Sequence, residues 1–114
     1  MEDCIFCKIA NKEEKADIVY EDSDVLAFKD ISPMSSVHLL IIPKKHIVSI
    51  DHIEDQDQEL IGKMFLVAKK IAKEKGLAQN YKLIINVGKG GGQVVDHLHL
   101  HLISKEPGQT ITDQ

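Results

Sequence analysis

The chain has 114 residues, 43% of them hydrophobic and 28% charged, with a formal net charge of −4. This is the length and composition of one soluble globular domain, and no apolar run approaches the roughly 20 residues that a membrane-spanning helix needs. The negative balance argues against non-specific nucleic-acid binding, which requires a positive field.

The start, Met1-Glu2-Asp3-Cys4, has neither a basic segment nor a long apolar stretch, so no signal peptide is expected and the cytoplasm is the default compartment. All 14 basic residues are lysine. A phosphate group would therefore be held by backbone N–H groups, lysine or histidine, without any arginine.

Cys4-Ile5-Phe6-Cys7-Lys8-Ile9-Ala10 reads as a loop entering a short helical turn. Its Cys-x-x-Cys spacing suits two thiolate ligands on one zinc, but a structural site needs four ligands and there is no second cysteine pair, so histidine would have to supply the rest. Two simply buried thiols are the alternative. Ile18-Val19-Tyr20-Glu21 and Val25-Leu26-Ala27-Phe28-Lys29 read as a hairpin across Asp22-Ser23-Asp24. The following Asp30-Ile31-Ser32-Pro33 breaks the pattern and predicts a loop.

Val37-His38-Leu39-Leu40-Ile41-Ile42 predicts a central strand stopped by Pro43, with Lys44-Lys45-His46 leaving it in a basic turn. From Gln58 to Lys75 apolar residues recur at intervals of three and four, the pattern of an amphipathic helix packed on a sheet. Asp55 with Gln58 offers a capping box, and Gly76 suits the position just past the helix end. Lys82 to Val87 predicts a fourth strand. Gly88, Gly90, Gly91 and Gly92 then let the backbone approach a ligand closely, although neither a dinucleotide fingerprint nor a Walker loop is present.

Asp96-His97-Leu98-His99-Leu100-His101-Leu102-Ile103 carries the strongest chemical signal. On a strand, His97, His99 and His101 share one face while Leu98, Leu100 and Leu102 enter the core, and a helix would scatter them. Imidazoles with an unperturbed pKa of about 6.5 need only modest shifts to become a neutral nucleophile and a protonated acid in one pocket. From Ser104 to Gln114 the chain is polar and is expected to be a loose tail, so that residues 1–114 form one domain.

With Phe28-Lys29-Asp30-Ile31-Ser32-Pro33 and His38-Leu39-Leu40-Ile41-Ile42-Pro43-Lys44-Lys45-His46, the stretch His97-Leu98-His99-Leu100-His101-Leu102-Ile103 resembles the histidine triad family, most closely its nucleoside phosphoramidase branch. The resemblance implies an α+β domain with a five-stranded antiparallel sheet, one long helix and a short helix, in a two-fold homodimer. It also implies a nucleotide hydrolase or nucleotidyl transferase cutting at the α-phosphate of purine nucleoside phosphoramidates or mixed anhydrides. Dinucleoside polyphosphate hydrolysis, or a zinc-stabilised nucleotide-binding module without turnover, are the alternatives.

By position, the resemblance makes His99 the nucleophile, with its second ring nitrogen donating to the carbonyl of His97 and with His101 and His38 beside the phosphate. Asp30 would grip the ribose, Ile5, Phe6, Ile9, Phe28 and Ile31 would enclose the base, and Asn86, Gly92 and Gln93 would complete the nucleotide shell. The cysteine pair resembles that of bacterial relatives in which Cys4, Cys7, His46 and His97 would surround a structural zinc. Two residues depart from the branch pattern: Val94 stands where it has serine, and Asp96 where it has an aromatic.

Overall fold

The computed structural model describes residues 3–33 and 35–105. A short helix, α1 (Ile5–Ala10), precedes the hairpin β1 (Ile18–Glu21) and β2 (Val25–Lys29), followed by β3 (Val37–Pro43), the long helix α2 (Gln58–Glu74), β4 (Lys82–Ile84) and β5 (Leu100–Ser104). The strands form one antiparallel sheet in the order β1-β2-β3-β5-β4. No helix among the described residues is long and apolar enough to cross a membrane.

Strand alternation divides the sheet into two chemically different faces. Val25 and Ala27, Leu39 and Ile41, and Leu100 and Leu102 point toward α2 and join Met64, Ala68 and Ile71 in the main core. Leu26, Phe28, Leu40 and Ile42 point the other way and pack with Phe6 and Ile9 of α1 in a smaller core. In the same register, His38 precedes Leu40 on β3 and His101 alternates with Leu100 and Leu102 on β5, so both imidazoles lie on the α1 face. The histidines are thus held at the open side of a sheet whose closed side is fully apolar.

Several local expectations are corrected. The capping device before α2 is Glu54 with Asp57, not Asp55 with Gln58: the Glu54 amide donates to Asp57 Oδ2 at 2.9 Å. Asp57 is buried and also takes Lys45 Nζ at 2.6 Å, a partner outside the local pattern. β4 ends at Ile84, opposite His101, and does not run to Val87. The β5 ladder starts only at Leu100, so His97 and His99 precede it. The reason lies in β3, whose last residue Pro43 has no amide and gives its carbonyl to the His97 ring at 2.8 Å.

Ser104 belongs to β5, not to a tail. It is fully buried, and its hydroxyl donates to the Asn80 carbonyl at 2.6 Å. The remainder of the expected tail, beyond Lys105, lies outside the described residues.

Candidate active site and metal centre

The segment between the glycine turn and β5 carries His97 and His99. Gly88 and Gly92 have φ values of 71° and 90°, which a side chain would oppose. The turn they form is tied by Gln93, whose Oε1 accepts from the Gly88 amide while its Nε2 donates to the carbonyls of Val48 and Val95. The resemblance placed Gln93 in the nucleotide shell, whereas here its side chain binds the backbone of its own loop and of Val48. It is 5% exposed, and both ends of its amide are used in holding the loop.

His99 Nδ1 lies 2.7 Å from the His97 carbonyl. A carbonyl only accepts, so Nδ1 carries the proton and Nε2 presents the lone pair. The edge of the Phe6 ring packs against His99, with centroids 5.1 Å apart. Beyond it lies a cleft of about 370 Å³, lined by Ile5, Phe6, Ile9, Phe28, Asp30 and Ile31 together with His99 and His101. All the residues expected around a base are brought together there, with Ile31 at the rim, 96% exposed.

On the far side of His101, a second hollow is lined by Asp30, His38, Asn86, Gly92 and Val94. Asn86 spends its Nδ2 on the Gly91 carbonyl at 2.9 Å, and a β-carbon on Gly92 would come within 3.4 Å of that amide.

His38 Nε2 approaches His101 Nδ1 at 2.9 Å and Asp30 Oδ2 at 3.4 Å. One ring donates to the other in this contact, and the Asp30 carboxylate faces the same His38 nitrogen at ion-pair distance. His101 Nε2 is a buried atom with no hydrogen-bond partner among the described residues. Leaving such a polar atom unsatisfied costs about 1–3 kcal/mol, which suits a position that a polar ligand atom would fill.

Burial holds the His101 pKa down at about 4, helped by the neighbouring His99 and His38 and opposed by Asp30. Burial also lowers His38, with Asp30 opposing.

Below this site, Cys4, Cys7, His46 and His97 offer four ligand atoms within 4.8 Å of one another, a group able to hold a metal ion. Cys4 Sγ lies 3.2 Å from His97 Nδ1, and Cys7 Sγ lies 3.2 Å from His46 Nδ1 and 3.5 Å from His97 Nδ1. A tetrahedral ion with metal–sulfur bonds of about 2.3 Å and metal–nitrogen bonds of about 2.0 Å separates such donors by roughly 3.5 Å, so the geometry fits. Pro43 accepts the His97 Nε2 proton, which leaves the Nδ1 lone pair directed at the sulfur atoms. Burial, with the Cys7 thiol donating to Cys4 and the charge of that neighbouring sulfur, pushes the Cys7 thiol up to about 11.

Some contributions were not foreseen. Lys15, Ala16, Lys29, Leu40 and Val95 also line the first cleft. Of these, only Lys29 had a usable signal, as the strand residue adjoining Asp30. Val94, noted as a departure, is 89% exposed and borders both hollows.

The family model described as "Scavenger mRNA decapping enzyme C-term binding" matches residues 3–112. Protein HitA of Neisseria gonorrhoeae is 52% identical over 103 residues, covering 90% of this chain and 96% of the relative. Among solved structures, a HIT family hydrolase from Legionella pneumophila Philadelphia 1 matches with a TM-score of 0.89 at 49% identity, covering 96% of each chain. A histidine triad protein from Clostridium difficile matches with a TM-score of 0.91 at 43% identity, covering 100% of this chain and 97% of that one.

The depressed His101 pKa has a consequence for stability. Between pH 6.5 and about 4 the unfolded chain binds a proton at this position that the folded chain refuses, so stability rises with pH through that window and is lost as pH falls through it. Urea midpoints should drop between pH 7 and pH 4.5, and His101→Gln should make the drop shallower. Identical pH slopes for the two proteins would show that His101 is not the source.

Proposed function

The chain belongs to the histidine triad family, and from that premise we propose that it is a nucleotide hydrolase acting through His99 on purine nucleoside phosphoramidates or mixed anhydrides. The observation that carries this reading is the 2.7 Å contact between His99 Nδ1 and the His97 carbonyl, which leaves the lone pair on Nε2 of a ring that lines the apolar cleft.

In the proposed reaction His99 Nε2 attacks the α-phosphorus, forming an N–P bond as the bond to the leaving group breaks. A bound phosphate anion beside His101 favours the protonated ring, and the Nε2 proton passes to the departing amine or oxygen. Asp30, 3.4 Å from His38, supplies negative charge that supports the protonated pair and is also available to the ribose hydroxyls. Water then attacks phosphorus, the N–P bond breaks, and the proton released by the water returns to His101.

Val94 offers no hydroxyl beside the leaving group. A neutral hydrogen bond contributes about 0.5–1.5 kcal/mol, so its lack slows the reaction by roughly tenfold at most.

For the lower cluster we propose zinc, held by Cys4, Cys7, His46 and His97. Four protein ligands leave no open position, so the ion's contribution is to folding and to pinning α1 against the sheet. We also propose a two-fold homodimer, supported by the exposed Phe65 and Leu66 on α2 (41% and 66%) and by the short edge strand β4.

Three measurements test these readings. His99→Ala should abolish turnover of a nucleoside phosphoramidate and the acid-labile trapping of labelled nucleotide on the protein, while AMP or GMP still binds. Trapping that survives the substitution would sink the nucleophile, and wild-type binding without any trapping would favour a module that does not turn over. Protein purified without chelator should contain one zinc per chain and lose melting temperature when a strong chelator is added. No zinc and no chelator effect would make the cysteines ordinary buried thiols. Light scattering at micromolar concentration should give twice the chain mass, and a monomer mass would remove the dimer.

A further inference from the structure

Two features of His97 have separate places in the fold and meet in one residue. Its ring Nδ1 faces Cys4 and Cys7, while its backbone carbonyl sets the proton position on His99. The carbonyl is not fixed by the sheet, because the β3–β5 ladder begins at Leu100. The chain on either side is fastened through the His97 ring to Pro43, through the Leu98 amide to the Ile47 carbonyl at 2.6 Å, and through the cysteine cluster.

Phe6, one residue before Cys7, touches the rings of both His97 and His99. Any change in the sulfur pair therefore reaches the nucleophile along two short routes.

The pair is also reachable. Cys4 is half-buried and lines an open depression of about 510 Å³ beside Asp3, His46 and Asp96, whereas Cys7 lies behind it, 8% exposed. The Cys7 amide donates to Cys4 Sγ at 3.2 Å, and the two sulfur atoms are within 4.8 Å of one another. An exposed sulfur with a second sulfur behind it is the arrangement in which a first oxidation is resolved as a disulfide.

We propose that the Cys4–Cys7 pair is a peroxide-sensitive switch on this hydrolase, and that His97 is the positioning residue through which its state reaches His99. The proposal rests on the reading of His99 as the nucleophile. Cys4 sulfur attacks a peroxide oxygen, the O–O bond breaks, and one oxygen leaves as water while the other stays on sulfur as a sulfenic acid. Cys7 sulfur displaces that oxygen as a second water and forms the Cys4–Cys7 bond. In total, two thiols are oxidised to one disulfide and one hydrogen peroxide is reduced to two waters. Two sulfur ligands are thereby removed from the cluster, the His97 ring loses its Nδ1 partners, and the carbonyl that orients His99 is no longer held in place.

The test uses the zinc-loaded, 15N-labelled full chain treated with hydrogen peroxide. Four readouts are followed: free thiols, zinc released to a chromogenic chelator, the ring tautomer of His99 by long-range 15N–1H spectra, and kcat and KM for a purine nucleoside phosphoramidate. Loss of both thiols should release zinc, turn the single Nδ1-protonated form of His99 into a mixture, and lower kcat tenfold or more. Dithiothreitol with added zinc should restore all of these, and Cys4→Ser should make the tautomer insensitive to peroxide.

The switch is overturned if both thiols are lost while the His99 tautomer is unchanged and kcat stays within twofold. It is equally overturned if the oxidised chain is unfolded by circular dichroism, or if peroxide lowers kcat as much in Cys4→Ser. Should the reduced protein fail to turn over the substrate at all, the hydrolase reading fails by itself, and the tautomer still decides whether the coupling exists.

Discussion

A neutral imidazole has one N–H and one lone pair, and the nitrogen that finds an acceptor decides where the lone pair points. At His99 the carbonyl of His97 makes that decision, and much of the surrounding structure serves to keep this carbonyl where it is. The His97 ring has no solvent exposure and is clamped between the Pro43 carbonyl and the two sulfur atoms. Leu98 anchors the next residue by its amide and by a side chain buried in the α2-side core. The end of β3, the turn at His46 and Ile47, and helix α1 therefore converge on one buried ring, although they are far apart in the sequence.

That convergence explains what could be read in advance. Alternation is a local property of an extended chain, so the six residues from His97 to Leu102 already separated an imidazole face from a leucine face, and the structure keeps that separation even where His97 and His99 lie before the ladder. The helix from Gln58 and the Cys-x-x-Cys followed by a short turn were legible for the same reason, since period and spacing lie within a few residues.

Pairings that depend on distant partners were not legible. The late start of β5 follows from Pro43, more than fifty residues upstream. Asp57 became the capping partner of Glu54 while also pairing with Lys45, and nothing local distinguishes it from Asp55. The resemblance put Gln93 in the nucleotide shell, yet an amide with a donor and an acceptor can also bind the backbone around its own loop, and here it does so at both ends.

The electrostatics of the site follow from what the chain lacks. With no arginine and a net charge of −4, a permanent positive centre for phosphate would have to come from lysine, and Lys15 and Lys29 lie exposed along the cleft. The groups that reach inside are imidazoles packed close together: His99 and His101 have ring centroids 4.9 Å apart, and His38 and His101 5.1 Å apart. Protonating all of them in an empty cleft would place like charges side by side with little solvent, and burial and repulsion keep His101 neutral down to about pH 4.

An anion entering the cleft reverses this balance, because it provides the opposite charge that water and protein withheld. In the proposed reaction the positive charge would then be acquired with the ligand, on the ring whose buried Nε2 has no hydrogen-bond partner among the described residues. The His97 carbonyl fixes the lone pair of His99, and the neighbouring His101 ring, held against His38, keeps a buried Nε2 without a partner among the described residues, so the two rings present one committed and one uncommitted nitrogen side by side.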